Sequence, residues 1–207
     1  MEKYPKIQSI YKRDQNTHKF LLGQYTCDEF RYLRNNQWSF TEKVDGTNVR
    51  VDWNHETQKV KLGGRTDNAQ MPVYLMERLQ ELFPVGKFIS LYPDIPMTLY
   101  GEGYGAKIQK GGGNYKADGV DFVLFDVLID GWWLERKNIL DIAKKLEIEV
   151  VPVVDEGPLC DAVELVKNMV GSRWGDFTAE GLVCKPLVGL KNRKGERVIT
   201  KLKTRDF

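Results

Sequence analysis

The sequence predicts an α+β fold with antiparallel sheets and flanking helices. Three observations support this class: short segments alternate apolar and polar residues, hairpin turns join several of these segments, and helical segments lie among them without a βαβ repeat. No internal repeat or linker is visible in the 207 residues, so we expect a single domain over residues 1–207.

The first predicted strands flank a turn. Residues 38–41 and 49–53 alternate apolar and polar side chains, so two half-buried strands are expected on either side of Lys43. A hairpin turn at 54–57 and a returning strand at 59–62 follow. Lys43 is therefore predicted to lie at the end of a strand.

Three helices are predicted farther along the chain. The first is opened by Pro72 and ends near Pro84, the second spans about 135–146, and the third spans about 159–170. Apolar residues that recur every three or four positions are expected to face inward: Val73, Met76, Leu79 and Phe83 in the first helix, and Ala162, Val163, Val166 and Met169 in the third. The remaining strands are expected near 97–100, 120–129, 149–153, 182–185 and 197–201.

Composition limits the function classes. The chain has 42% apolar and 29% charged residues and a net charge of +2, which indicates a globular protein able to bury a core. No segment approaches the roughly 20 apolar residues of a membrane helix, and residues 1–14 lack an apolar signal core. We therefore expect a cytoplasmic protein, located in the host cytoplasm if its source is a phage or virus. Cys27, Cys160 and Cys184 are odd in number and widely spaced, which predicts reduced packing residues.

The most informative motif is Glu42-Lys43-Val44-Asp45-Gly46, followed by Thr47-Asn48. It places an amine beside two carboxylates and a glycine. An ordinary lysine is mostly protonated at neutral pH, so its use as a nucleophile needs desolvation or nearby cations. Alone, Lys-x-Asp-Gly should occur by chance in roughly one chain of this length in twenty. Five further segments follow it in order: Gly63-Gly64-Arg65-Thr66, Tyr100-Gly101-Glu102, residues 122–127, residues 180–186 and Lys201-Leu202-Lys203.

This series of segments resembles the covalent nucleotidyltransferases, the superfamily of ATP-dependent ligases and mRNA capping enzymes. Three details are similar to its RNA ligase 2-like branch: Glu42 precedes the lysine, Thr47-Asn48 follows the glycine, and Ile108-Gln109-Lys110-Gly111 lies between the later segments. DNA ligases and capping enzymes usually carry an arginine where this chain has Asn48. The resemblance covers about residues 37–203.

The resemblance implies a nucleotidyltransferase domain that acts as an ATP-dependent RNA ligase in RNA repair. The implied partners are RNA ends with a 5′-phosphate and a 3′-hydroxyl, including nicked duplexes, and a monomer is expected. A DNA ligase, a GTP-using capping guanylyltransferase and a noncatalytic nucleotide- or RNA-binding module of the same fold are the alternatives. The family's C-terminal accessory domain is not expected, because only four residues follow Lys203. Strand joining is therefore expected to be slow, salt-sensitive or dependent on an accessory protein or a missing domain.

The resemblance also implies residue roles. Lys43 would carry AMP, and Lys201 and Lys203 would contact the α-phosphate and favour the neutral amine by charge repulsion. Mg²⁺ or Mn²⁺ would be held largely through water by three acids: Asp45, Glu102 and Glu180. The implied contacts to ATP or RNA are, in chain order, Glu42 to the adenine amino group, Val44 beside the nucleotide, Asn48 at the RNA end, Arg65 to the ribose, Glu102 and Glu180 to the nucleotide, Phe125 stacked on adenine, and Lys185 to phosphate.

A glycine-rich segment at 103–119 does not resemble a phosphate-binding P-loop. It lacks the Lys-Ser/Thr ending and does not join a strand to a helix. We expect it to form a mobile loop over the site.

Overall fold

The computed structural model describes residues 2–207, and its mixture of mainly antiparallel sheets and short helices confirms the predicted α+β class. The strands in these residues are β1 Gln8–Ser9, β2 Tyr11–Arg13, β3 Phe20–Tyr25, β4 Trp38–Glu42, β5 Thr47–Asn54, β6 Lys59–Gly64, β7 Met97–Gly105, β8 Val120–Ile129, β9 Trp132–Trp133, β10 Glu149–Val150, β11 Val153–Gly157, β12 Gly181–Pro186 and β13 Thr200–Lys203. The α-helices are α1 Asp28–Tyr32, α2 Val73–Leu82, α3 Val85–Leu91, α4 Gly112–Tyr115, α5 Arg136–Leu146 and α6 Leu159–Lys167, and a 3₁₀ turn covers Thr204–Asp206.

The chain divides into two compact units. Unit 1 contains the described residues up to Tyr4 together with Asp45–Val151, and unit 2 contains Pro5–Val44 together with Pro152–Phe207. The expectation of one functional domain over 1–207 stays a prediction.

Unit 1 is built on a six-stranded sheet with the order β10-β8-β7-β5-β6, and β9 pairs with β8. One face of this sheet is apolar: Val49, Val51 and Trp53 of β5 are buried in the core with residues of α2, α3 and α5. Because side chains alternate along a strand, Asn48 and Arg50 lie on the opposite face. That face carries Asn48 and its cross-strand partner Glu102.

The α2 helix corrects one predicted inward position. Leu75 and Leu79 are fully buried, whereas Val73 is 72% exposed. Val73 lies two residues before Leu75, about 200° around the helix axis, so it cannot share the buried stripe. Phe83 is buried as predicted. The adjoining α3 was not predicted.

Unit 2 contains a five-stranded sheet with the order β1-β13-β12-β4-β11 and the small β2-β3 sheet. Trp38 and Phe40 of β4 are fully buried and belong to a core cluster that includes Ala162 and Val166 of α6. The sequence predicted α6 too long, because the helix ends at Lys167. Met169 has a left-handed φ of 56° and is 65% exposed rather than inward, since a residue past the helix end no longer follows its periodicity.

Two further strand predictions need correction. The segment 149–153 forms two strands in different sheets, β10 beside β8 and β11 beside β4. Pro152 lies between them, and proline cannot donate to a strand ladder. The last strand is Thr200–Lys203 rather than 197–201, and Arg197 lies before it in an isolated bridge with Lys191.

The cysteines are free, as predicted, but only one is fully buried. Cys184 belongs to the core of unit 2, Cys27 is half-buried, and Cys160 is exposed on α6. The prediction that all three are packing residues is therefore wrong for Cys160. Within residues 2–207, every helix is too short or too polar to cross a bilayer.

Candidate functional site

The predicted site residues are distributed over both units. Unit 2 holds Glu42, Lys43, Val44, Glu180, Lys185, Lys201 and Lys203, and unit 1 holds Asp45, Asn48, Arg65, Glu102 and Phe125. In each unit, strand pairing brings most of these residues to one face of the sheet.

In unit 2, three of the predicted lysines share the face opposite the core. Lys201 and Lys203 flank the fully buried Leu202 on β13, and Lys185 follows the fully buried Cys184 on β12, so the period of two turns these lysines away from the core. Lys43 follows β4, and its backbone N–H donates to the carbonyl oxygen of Gly181 over 2.9 Å. We call Lys43, Lys185, Lys201 and Lys203 the lysine face.

Glu180 connects two members of the lysine face. One carboxylate oxygen lies 2.6 Å from Nζ of Lys43, and the other lies 2.6 Å from Nζ of Lys203. The three side chains are only 15–21% exposed, so the charges are incompletely screened by water. Burial alone would raise the pKa of Glu180, but the charges and hydrogen bonds of Lys43 and Lys203 outweigh it, and the pKa is lowered below its ordinary value.

This ion-pair network has a chemical consequence. Two ammonium groups share one carboxylate, which leaves a net positive charge suited to phosphate oxygens. The Lys43 amine donates to Glu180, so attack by its lone pair requires that this ion pair open and that Nζ lose a proton.

Glu42 lies on the other face of the sheet. It follows the buried Trp38 and Phe40 in the β4 alternation and is 1% exposed. Its two carboxylate oxygens accept hydrogen bonds of 2.7 Å from the Ser172 hydroxyl and the Arg173 backbone N–H. Glu42 therefore anchors the segment that follows α6. The contact of Glu42 to the adenine amino group stays a prediction. Both carboxylate oxygens already accept a hydrogen bond, so this contact would use the second lone pair of one of them.

In unit 1, strand register places Asn48 of β5 directly opposite Glu102 of β7. The side-chain oxygen of Asn48 is buried and has no hydrogen-bond partner among residues 2–207. A buried acceptor without a donor costs about 1–3 kcal/mol, and such atoms often mark a ligand site. The Asn48 and Glu102 oxygens are of the type that Mg²⁺ or a hydroxyl group would bind.

Close backbone approach explains the glycine of the motif. A Cβ atom at Gly46 would lie 2.3 Å from the carbonyl oxygen of Gly103 and 2.7 Å from Cγ of Glu102. Any larger residue would push β5 away from β7 next to Glu102.

The glycine-rich segment contacts Asp45. The backbone N–H of Gly111 donates to a carboxylate oxygen of Asp45 over 3.1 Å, and a Cβ atom at Gly111 would lie 2.8 Å from that oxygen. Part of the segment forms α4, which the sequence did not predict. Its mobility stays a prediction.

Phe125 occupies an irregular position in β8. The register pairs Tyr100 with Asp126 and Gly101 with Leu124, so Phe125 is the extra residue of a β-bulge. Bulges re-aim side chains and are frequent beside active sites. The Phe125 ring packs edge-on against Tyr4 with centroids 5.0 Å apart.

The predicted acids do not form a ready metal-ligand set. Among residues 2–207, no group of three or more His, Cys, Asp or Glu side chains could hold a metal ion. Asp45 and Glu102 belong to unit 1 and Glu180 belongs to unit 2. Their oxygen chemistry fits Mg²⁺ or Mn²⁺, and an ion that keeps most of its waters does not need three direct protein ligands.

The sequence model of the RNA ligase family matches residues 36–203, which is most of the chain. The chain belongs to the RNA ligase family, as the resemblance predicted. No protein with a curated description matches it significantly.

Solved structures of Naegleria gruberi RNA ligase are similar in fold. A variant without ligand has a TM-score of 0.67 and 20% identity, covering 98% of this chain and 57% of that chain. A variant with ATP and Mn has a TM-score of 0.68 and 19% identity, covering 99% and 64%. A variant with AMP and Mn has a TM-score of 0.66 and 20% identity, covering 97% and 57%. The chain thus spans less than two thirds of the length of these proteins, and the likeness establishes the fold.

Proposed function

We propose that the protein is an ATP-dependent RNA ligase of the RNA ligase 2-like branch that forms a lysyl-AMP intermediate on Lys43. The observation that carries this proposal is the Lys43–Glu180–Lys203 network on the lysine face, within the segment that matches the RNA ligase family. A binding module has no need for a half-buried amine at a strand end that is paired to a single shared carboxylate.

In the first step, Nζ of Lys43 attacks the α-phosphorus of ATP. A P–N bond forms, the bond from the α-phosphorus to the bridging oxygen breaks, and pyrophosphate leaves with the electron pair. Nζ releases one proton before attack and a second one after the P–N bond has formed. Glu180, 2.6 Å from Nζ, holds the amine in place until the ion pair opens and Nζ loses its first proton to solvent.

In the second step, an oxygen of an RNA 5′-phosphate attacks the phosphorus of lysyl-AMP, the P–N bond breaks, and the lysine nitrogen takes up the two protons that it released in the first step. In the third step, an RNA 3′-hydroxyl attacks the activated 5′-phosphorus, loses its proton, and displaces AMP. Each step concentrates negative charge on phosphate oxygens, which Lys185, Lys201 and Lys203 would offset.

The remaining nucleotide contacts are proposed from the family resemblance. Arg65 would contact the ribose, Phe125 would stack on adenine, and Glu42 would accept from the adenine amino group, which guanine lacks at that position. Val44 would lie beside the nucleotide, and Asn48 would act at the RNA end. The position of Phe125 at a β-bulge and the unmet Asn48 acceptor support the assignments of these two residues.

Asp45, Glu102 and Glu180 would hold Mg²⁺ or Mn²⁺, largely through its waters. When bound, the ion would neutralise charge on the phosphate oxygens and on the leaving pyrophosphate. Within the protein, the Gly111 N–H keeps the Asp45 carboxylate oriented.

The proposed substrates are RNA 5′-phosphate and 3′-hydroxyl ends, including nicks, and the proposed role is RNA repair in the cytoplasm. We propose that residues 1–207 act as one nucleotidyltransferase domain and as a monomer, with strand joining that is weak and salt-sensitive unless a further domain or accessory protein grips the duplex.

Intact-mass spectrometry after incubation with ATP and Mg²⁺ tests the proposal. The parent chain, first stripped of bound AMP with pyrophosphate, should gain the mass of one AMP, and Lys43→Ala should gain none. Lys194→Ala, which removes an exposed lysine of the same unit, is the matched control and should behave as the parent. An unmodified parent chain, or an adduct that persists in Lys43→Ala, would overturn the assignment.

A further inference from the structure

Arg50 is a buried cation outside the motif residues. Its side chain is 0% exposed, although it extends from β5 on the face opposite the apolar core. A buried guanidinium is stable only when its donors are matched by acceptors and its charge by an anion. The identity of its partners therefore indicates what Arg50 holds in place.

Two of its partners lie at the end of β6 and in the segment that follows β6, and Nη1 also donates to the carbonyl oxygen of Glu2 over 3.5 Å. Nε of Arg50 donates to the carbonyl oxygen of Gly64 over 2.6 Å, and Nη2 donates to a carboxylate oxygen of Asp67 over 2.8 Å. The hydrogen bond from Arg50 is the main cause that lowers the pKa of Asp67 below its ordinary value. A single rigid side chain thus fixes the segment at two points.

The two fixed points lie on either side of Arg65. Directly after Arg65 the chain makes a tight turn around Asp67, in which the Ala69 N–H donates to the Thr66 carbonyl oxygen over 3.1 Å. A Cβ atom at Gly64 would lie 2.8 Å from Cβ of Ala69, so the turn folds back closely on the end of β6. The Arg65 side chain is exposed, while its backbone is held on both sides.

We propose that Arg50 and Asp67 form a clamp that positions Arg65 for the ribose of the adenine nucleotide. Arg50 and Asp67 act through Arg65 and do not contact the ligand. The clamp restricts the Arg65 backbone before the nucleotide binds. Less conformational entropy is then lost on binding, which lowers the free-energy cost of the contact. A lysine could not replace Arg50, because one ammonium group lacks the planar fork that reaches two acceptors. The inference rests on the proposed nucleotide-binding role of Arg65.

The affinity of the Lys43→Ala chain for ATP tests the clamp in the absence of the adenylylation reaction. In that background, Asp67→Ala should weaken ATP binding about fivefold, and Arg50→Lys should weaken it at least as much. Asp67 is largely exposed, so its substitution should leave the fold intact even if Arg50→Lys does not. Asp94→Ala, at an exposed aspartate of the same unit, is the matched control and should bind ATP as the parent does.

Two further readouts separate positioning from a general loss of structure. The effect of Asp67→Ala should disappear with 2′,3′-dideoxy-ATP, which lacks the hydroxyl groups that Arg65 would contact, and it should also disappear when Arg65→Ala is already present. With Lys43 restored, Asp67→Ala should raise KM for adenylylation and leave kcat within about twofold.

Equal weakening with ATP and dideoxy-ATP, or full additivity with Arg65→Ala, would overturn the clamp while leaving the ligase assignment intact. If the parent chain forms no AMP adduct and binds no ATP, the proposed function fails and the clamp fails with it.

Discussion

The candidate residues of the two units differ in whether their polar groups already have hydrogen-bond or ion-pair partners within the protein. In unit 2, the ammonium groups of Lys43 and Lys203 both pair with the carboxylate of Glu180. In unit 1, the Asn48 oxygen is buried without a partner among residues 2–207. A charge cannot be kept from water without a counter-charge, whereas a neutral amide can be, at modest cost. A ligand must therefore open contacts in unit 2, but in unit 1 it can supply a missing one.

Substituting Glu180 should have the largest effect. Glu180→Gln keeps the shape of the side chain but leaves two little-exposed ammonium groups without a counter-charge, so we expect a loss of about 3 kcal/mol in unfolding free energy. Adenylylation of Lys43 should slow at least about 100-fold, because Glu180 no longer holds Lys43 and Lys203 in position for the phosphate. Denaturant unfolding and intact-mass kinetics measure the two effects.

Glu164→Gln, at an exposed glutamate of α6, is the matched control for that experiment and should change neither quantity appreciably. Normal stability together with normal adenylylation in Glu180→Gln would show that the network is a surface feature and would remove the contrast between the units.

Acid should weaken unit 2 through the same carboxylate. Because the pKa of Glu180 is lowered in the folded protein, its contribution to stability is complete above the unfolded value of about 4.3 and is lost as the pH falls through the folded value. The stability difference between the parent and Glu180→Gln should therefore be constant above about pH 5 and shrink below about pH 4. Urea unfolding of both chains between pH 3 and pH 7 measures this difference, and a gap that widens towards acid would contradict the assigned sign.

The smallest effect is expected at Asn48. Because its side-chain oxygen is buried and makes no hydrogen bond among the described residues, Asn48→Ala should not lower the unfolding free energy. Asn54→Ala is the matched comparison, since the Asn54 oxygen accepts hydrogen bonds from the Thr57 N–H and hydroxyl at 2.8 and 2.9 Å. Asn54→Ala should be the more destabilising substitution.

The loss of ligase activity should be larger for Asn48→Ala than for Asn54→Ala, which is the opposite of the order expected for stability. Asn48→Ala should still form lysyl-AMP but should lose sealing of an RNA nick, while Asn54→Ala should keep both activities. If Asn48→Ala destabilises the protein more than Asn54→Ala, Asn48 has a structural partner, and the view of unit 1 as an incomplete site is wrong.

Local patterns predicted the regular elements near the motif. Alternation along 38–41 and 49–53 predicted β4 and β5, and the apolar stripe at 135–146 predicted α5, because these signals depend on residues close in sequence. The same reasoning missed α3 and extended α6 too far. The end of a helix depends on the conformation of single residues such as Met169 and not on periodicity alone.

Contacts between distant segments could not be predicted in the same way. Ser172 holds Glu42 across 130 residues of sequence, and no motif or spacing indicates that pair. Arg50 resembles any polar residue on a half-buried strand until its partners Gly64 and Asp67 are known.

The sequence by itself determined the α+β class, the RNA ligase resemblance and the ordered set of amines and acids, because strand alternation and motif order are properties of the linear chain. Only the tertiary structure decided which of these groups meet. Glu180 joins Lys43 to Lys203, Glu42 turns towards the core of unit 2, and a buried arginine holds the segment around Arg65. Each of these outcomes depends on strand register and on the requirement that buried charges and hydrogen-bonding groups find partners, which the order of residues alone does not reveal.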